Sequence, residues 1–211
     1  MDSAPTLTER RRLATQLEIA EAAARLFGER DAKTVTVEEI AAAAGVSPRT
    51  YYRYFPTKED AVAPLLSVGA ATWRAAIEEA DDSDVRDSIA RAIERVLTPL
   101  EDPNEPAVAL TRGLLRSTLQ DSALWAVWQR VNADSERLLA SVIATRLGTS
   151  ARGAKHDVTA ARLLAAAATA AIRLSLESWS SDDAAATRPA QLAASSFTQL
   201  SSGVTGLHAN R

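Results

Sequence analysis

The 211 residues are 46% hydrophobic and 24% charged, with a net charge of -3; this is ample apolar material for one large helical domain or two small ones, and too much for a disordered tail. With no cysteine, disulfides and thiolate metal sites are excluded, and the two histidines, His156 and His208, stand too far apart in sequence for a local ligand pair. The first sixty residues hold nine Lys and Arg against ten Asp and Glu, so an affinity for nucleic acid has to be sought in where the charges sit rather than in their sum.

Alanine is abundant, Gly and Pro number eight each, and alternating β-branched residues are scarce, so an all-α protein of about nine helices is expected. The first helix is predicted from about Thr8 to Glu29, with Ile19, Ala23, Leu26 and Phe27 on one face and Gly28 at its end. Thr36 followed by Glu39 forms a capping box, and Val37, Ile40, Ala41 and Ala44 repeat at helical spacing, giving a short second helix over Val37–Ala43. In "AGVSP" Gly45 supplies a left-handed stop, Ser47 the next cap and Pro48 a first helical position. Two short helices joined by such a turn make a helix-turn-helix. Pro56 then stops the third helix, and Thr57 caps a fourth that reaches toward Glu79.

Further helices are predicted near Val85–Leu97, Glu105–Leu119, Asp121–Leu147, Val158–Trp179 and Arg188–Ser202, with "TPLEDPNEP" and "GTSARGAK" as loops. The N-terminus lacks the apolar stretch of a signal peptide. The run Leu163–Ile172 is about half of the roughly 20 residues a membrane span needs. A cytoplasmic protein that makes no use of a membrane is the expectation.

The third helix carries the most specific chemistry. Tyr51, Tyr54 and Phe55 fall in one arc, and Pro48, Arg49, Tyr52 and Arg53 in the opposite one, with Thr50 at the border. The outer set suits a DNA groove: an arginine fork for guanine or phosphate, a tyrosine for a thymine methyl or phosphate, a proline for apolar contact. Thr36, Ser47 and Lys58 lie at helix starts, where an anion is welcome. Arg10, Arg11 and Arg12 oppose the dipole of the first helix; they read either as a solvated face or as cations waiting for an external phosphate.

The stretch "TVEEIAAAAGVSPRTYYRYFPTKEDAV" resembles the TetR family of one-component transcriptional regulators, following the pattern T-x-x-x-I-A-x-x-A-G-V-S-x-x-x-x-Y-x-Y-F-x-x-K-x-x-L. The similarity covers roughly Leu13 to Trp73, departing where Val62 stands near the usual Leu and Tyr51 fills a core position often held by Leu or Phe. The resemblance implies an N-terminal three-helix DNA-binding domain over 13–73, its helix-turn-helix at about 36–55, and a larger helical effector-binding and dimerisation domain over 74–211. It implies Thr36 as a phosphate-contacting cap, Ser47, Pro48, Arg49, Thr50 and Tyr52 facing DNA, and Arg53, Tyr54 and Lys58 on or near the backbone. Glu38 matches a place where some members put a base-reading side chain; an acid there accepts only, for instance from a cytosine amino group.

By the same resemblance the chain is a homodimer whose last two long helices pair with those of a second copy. Ala165, Ala168, Ile172, Leu176 and Trp179 form one stripe, and Leu192, Ser196, Phe197 and Leu200 another; each reads either as a dimer face or as intrachain core. Two recognition helices about 34 Å apart would match a near-palindromic double-stranded operator.

The effector is expected among the middle helices. Trp73, Trp125 and Trp128 line a pocket or belong to plain core. "LWAVWQR" and "ARLLAAAATAAIRLSLESW" are also similar, more loosely, to the subgroup typified by the mycofactocin-system regulator, which implies a hydrophobic, acyl-CoA-like effector; Arg112 and Arg116, four apart, then offer charge to its phosphates, or else face solvent. No G-x-S-x-G, phosphate-cradling Gly loop or metal cluster is found, so neither an enzyme nor a cofactor is expected. The expected function is a repressor released from its operator by a small molecule, the alternatives being a helical protein-interaction module or an activator of the same fold.

Overall fold

The computed structural model describes residues 6–79, 84–102, 105–147, 155–181 and 188–204. Among them lie nine α-helices: α1 (Leu7–Glu29), α2 (Val37–Ala43), α3 (Pro48–Tyr54), α4 (Ala63–Glu78), α5 (Val85–Leu97), α6 (Pro106–Gln120), α7 (Ser122–Arg146), α8 (Lys155–Ser181) and α9 (Pro189–Ser201). Short 3-10 turns occupy Ala32–Thr34, Glu59–Val62 and Thr98–Glu101. The predicted helix starting at Thr57 therefore opens on a 3-10 turn whose cap position is Lys58, one residue later than expected, with the Thr57 hydroxyl just ahead of it accepting from the Asp60 N–H at 3.2 Å.

The chain divides into two compact units that do not follow a single cut. One comprises Met1–Ser67 with Leu110–Trp128, the other Val68–Ala109 with Gln129–Arg211. In the first, α1 turns Ile19, Ala20, Ala23, Ala24 and Phe27 inward to meet Ile40, Ala41, Tyr51, Phe55, Ala61 and Val62, all buried. Burying each large apolar side chain contributes about 1.5–3 kcal/mol, which sets three short helices that could not stand alone.

Gly28 does not end α1, which runs on to Glu29 and is capped by extended Arg30. The glycine serves close approach instead: a Cβ added there would lie 3.4 Å from the carbonyl carbon of Gly113 on α6. Beside this contact the Ser117 hydroxyl donates to the Phe27 carbonyl, filling one of the acceptors left over at the end of α1.

In the second unit α5 is cleanly amphipathic, with Val85, Ile89, Ala92, Ile93 and Leu97 buried. α9 meets it through Ala190, Ala193, Ala194 and Phe197, and α8 brings Ala161, Leu164, Ala165, Ala168 and Ala171. These small side chains let helix axes come close. Polar bonds pin α9 at both ends: the buried Ser175 hydroxyl donates to the Pro189 carbonyl at 2.8 Å, and Arg86 donates to the Ser201 carbonyl at 3.3 Å.

The Leu163–Ile172 run, expected to be too short for a membrane, lies inside a longer apolar helix. Val158–Ser181 is long and apolar enough to cross one by length and composition alone, with 44% of that window buried inside the chain. Its hydropathy comes from being apolar on two faces, one of which packs on α9 within the second unit.

Candidate nucleic-acid interface

The helix-turn-helix is built from local bonds. Thr36 and Glu39 complete the capping box: the Glu39 N–H donates to the threonine oxygen at 3.2 Å, and the Glu39 carboxylate accepts from the Thr36 N–H at 2.8 Å and from its hydroxyl at 2.9 Å. Arg30 donates to the same carboxylate at 3.0 Å. Hydrogen bonds from the Thr36 backbone and hydroxyl, then from Arg30, hold Glu39 below the usual carboxylate range. Between α2 and α3, Gly45 takes φ +66°, a left-handed conformation that costs a non-glycine residue about 1–2 kcal/mol. Ser47 then caps α3, accepting from the Thr50 N–H at 3.1 Å and lying 3.0 Å from the Thr50 hydroxyl.

α3 divides as its periodicity predicts. Tyr51 is wholly buried, and its phenol donates to the Thr57 carbonyl at 2.9 Å. Burial pushes the phenol's pKa well up, with the charges of Glu59 and Asp60 adding to it. Ser47, Pro48, Arg49, Tyr52 and Arg53 are exposed, and Thr50 and Tyr54 are half-buried. Tyr52, 55% exposed, is braced edge-on by the Tyr51 ring at 5.7 Å. The Arg53 guanidinium lies 5.1 Å from the centroid of Tyr54, a cation–π contact that limits its wandering. The result is a ridge of two cations, an aromatic ring and a proline on one helix side.

Lys58 is placed differently from the backbone position implied for it. Its ammonium turns inward onto the carbonyls of Ala32 and Val35, at 2.7 and 2.8 Å. Arg30 is a residue that sequence reading missed; its only signal was a cation at the end of α1, nine residues before an acid. Glu38 is exposed on the first turn of α2, and residues 6–14, including Arg10, Arg11 and Arg12, are exposed throughout.

The predicted pocket residues fall in both units. Arg112, Arg116, Trp125 and Trp128 belong to the first unit and Trp73 to the second. Trp73 and Trp128 are buried, and Trp128 shares a side of α7 with buried Leu124 and Val131. Trp125 and Arg112 are half-buried and Arg116 exposed.

The residues of the predicted dimer stripes differ in exposure. Ala165, Ala168, Leu176, Trp179 and Phe197 are buried within the single chain, and Ile172, on the same side of α8, is half-buried. Periodicity had identified the core face of α8 there. Leu192 and Leu200 remain exposed on α9, and α8 exposes Leu163 and Leu174 on its other side.

Residues 19–63 match the family model for bacterial regulatory proteins of the tetR family. The HTH-type transcriptional regulator TcmR of Streptomyces glaucescens is 29% identical over 147 residues, a segment covering 68% of this chain and 65% of that relative's length. Among solved structures, the fatty acid degradation regulator FadR of Bacillus halodurans aligns with a TM-score of 0.60 at 19% identity, over 90% of this chain and 96% of its own. Thermus thermophilus FadR, a TetR-family repressor solved in complex with lauroyl-CoA, aligns with a TM-score of 0.58 at 19% identity, over 93% and 98%. At such identity these two speak for the fold. The matched segment covers most of the capped helices described above: residues 19–63 are similar to the DNA-binding segment of bacterial regulatory proteins of the tetR family, and the similarity to TcmR extends over a longer stretch.

Proposed function

We propose that the protein is a sequence-specific DNA-binding transcriptional repressor that acts as a cytoplasmic homodimer and leaves its operator when a hydrophobic small molecule binds. One observation carries the reading: α3 buries Tyr51 while holding Arg49, Tyr52 and Arg53 together in solvent. A helix entering the major groove needs such a ridge, with Arg49 and Tyr52 in reach of base edges, Pro48 and Thr50 beside them, and Arg53 and Tyr54 toward phosphates. Thr36 and Ser47 cap the two short helices and stand at their starts, where a phosphate is welcome.

A duplex selected by the protein from a random-sequence library provides the test. Replacing both Arg49 and Tyr52 by Ala should weaken binding to it by about 2–6 kcal/mol, from about 1–3 kcal/mol for each groove contact, with the helical circular dichroism unchanged. Undiminished binding by that folded variant would remove the groove-facing assignment.

An acyl-CoA-like effector is the class we favour, because a structural neighbour of this fold, Thermus thermophilus FadR, was solved with lauroyl-CoA. Arg112, Arg116 and Trp125, the less buried members of the predicted set, are its proposed contacts. Lauroyl-CoA should raise the melting temperature, as any ligand of the native state does, and release the selected duplex. No shift across acyl-CoAs of several chain lengths would rule this class out.

A further inference from the structure

Three hydrogen bonds converge on one ammonium. Lys58 Nζ donates to the carbonyls of Ala32 at 2.7 Å, Val35 at 2.8 Å and Lys33 at 3.4 Å. An ammonium has three N–H groups and no acceptor, so its donors are accounted for inside the domain. Its side chain is only 22% exposed, and the Glu59 carboxylate lies 4.0 Å away.

The three carbonyls belong to the turn that leads from α1 into α2, while Lys58 follows the recognition helix α3. One residue before it, the Thr57 carbonyl is held by the buried Tyr51 phenol. The Arg30–Glu39 pair fastens the lead-in to α2 from the other side, at 3.0 Å. The exit of α3 and the start of α2 are thus tied through a single cation.

We propose that Lys58 is a positioning residue of the helix-turn-helix, fixing the start of α2 against the exit of the recognition helix, and that it does not neutralise a phosphate. The inference rests on the DNA-binding reading above. Residue type supports it, since the chain has three lysines among its 24 Lys and Arg. A tetrahedral ammonium can meet three carbonyls converging on one point, whereas a planar guanidinium fork cannot. A phosphate would accept either cation.

The experiment compares the unaltered protein with Lys58→Met and Lys58→Arg on the duplex selected by the unaltered protein and on a scrambled duplex, over a range of salt, well below each melting temperature. Both variants are expected to bind the selected duplex about tenfold or more weakly, to bind the scrambled one almost as before, and to keep the slope of log affinity against log salt. A mere loss of stability would not lower the specificity ratio of protein that remains folded. A slope reduced in magnitude by about 0.9, the value for one lost phosphate contact, or full affinity in Lys58→Arg, would overturn the proposal.

Should Lys58→Met fail to fold, the ammonium resonance of Lys58 in the unaltered, 15N-lysine-labelled protein decides. It should be protected from exchange and stay in place when the duplex is added; a shift onto phosphate contradicts the assignment. If the selection returns no preferred duplex, the DNA-binding reading falls and this one with it, whereas a preferred duplex with a reduced slope sinks this one alone.

Discussion

Tyr51 carries two duties in one side chain. Its ring fills the space among the short helices with no exposure, in contact with Tyr52 and Phe55, while its phenol closes a bond to Thr57 across the stop at Pro56. Replacing it by Phe keeps the ring and removes the donor, leaving the Thr57 carbonyl short of a partner. Such a loss costs about 1 kcal/mol, and urea unfolding should show it as a lower midpoint with an unchanged slope. Affinity for the selected duplex should also fall, because Thr57 and Lys58 are consecutive; an unaltered midpoint would mean the bond contributes nothing. The inward aim of Tyr51 was legible from helical spacing alone. The inward aim of Lys58 was not, because its partners lie 23–26 residues earlier in the chain and no local pattern reports a contact at that range.

Among the elements, the shortest helices were the most legible. α2 and α3 have seven residues each, too few to persist without capping, so their ends are written in residues within three or four positions: Thr36 with Glu39, Ser47 with Pro48, and Gly45 between them. At α1 the ends were read less well: its capping box is Thr6 with Glu9, ahead of the predicted start at Thr8, and Gly28 misled because its use is interhelical. The capping box of α2 also predicts a pH dependence. The folded-state pKa of Glu39 lies below the ordinary 4.5, so its contribution is complete above 4.5 and is lost as pH falls through the lower folded-state value. Glu39→Gln keeps a shape that can cap but removes the charge that Arg30 meets. Thermal unfolding between pH 3 and 6 should therefore show a steeper acid loss for the unaltered protein than for the variant; parallel curves would show that this carboxylate does not couple to folding. Glu9, capped by Thr6 in the same way, adds a similar dependence in both proteins and cancels in the comparison.

At the scale of the whole molecule, what matters is which side of α8 is left over. Periodicity can find an apolar stripe but cannot say whether its partner is another part of the chain or a second copy. In α8 both sides are apolar. Ala165, Ala168 and Leu176 are consumed inside the chain, while Leu163 and Leu174 are exposed, with half-buried Ala167 and Ala170 between them at spacings of four, three and four. That outward stripe, together with exposed Leu192 and Leu200 on α9, is where the proposed homodimer would join. Leucines flanking alanines suit close packing of two helices, and a stable interface needs about 800 Å² from each partner. Changing Leu163 and Leu174 together to Glu places like charges on both copies of such an interface without disturbing the buried side of α8. Sedimentation equilibrium should then report the monomer mass with full helicity. Operator affinity should fall toward that of a single recognition helix, since the second half-site no longer adds to the first. A variant that keeps the dimer mass would move the interface to another face, and an unaltered protein that sediments as a monomer at micromolar concentration would remove the dimer itself.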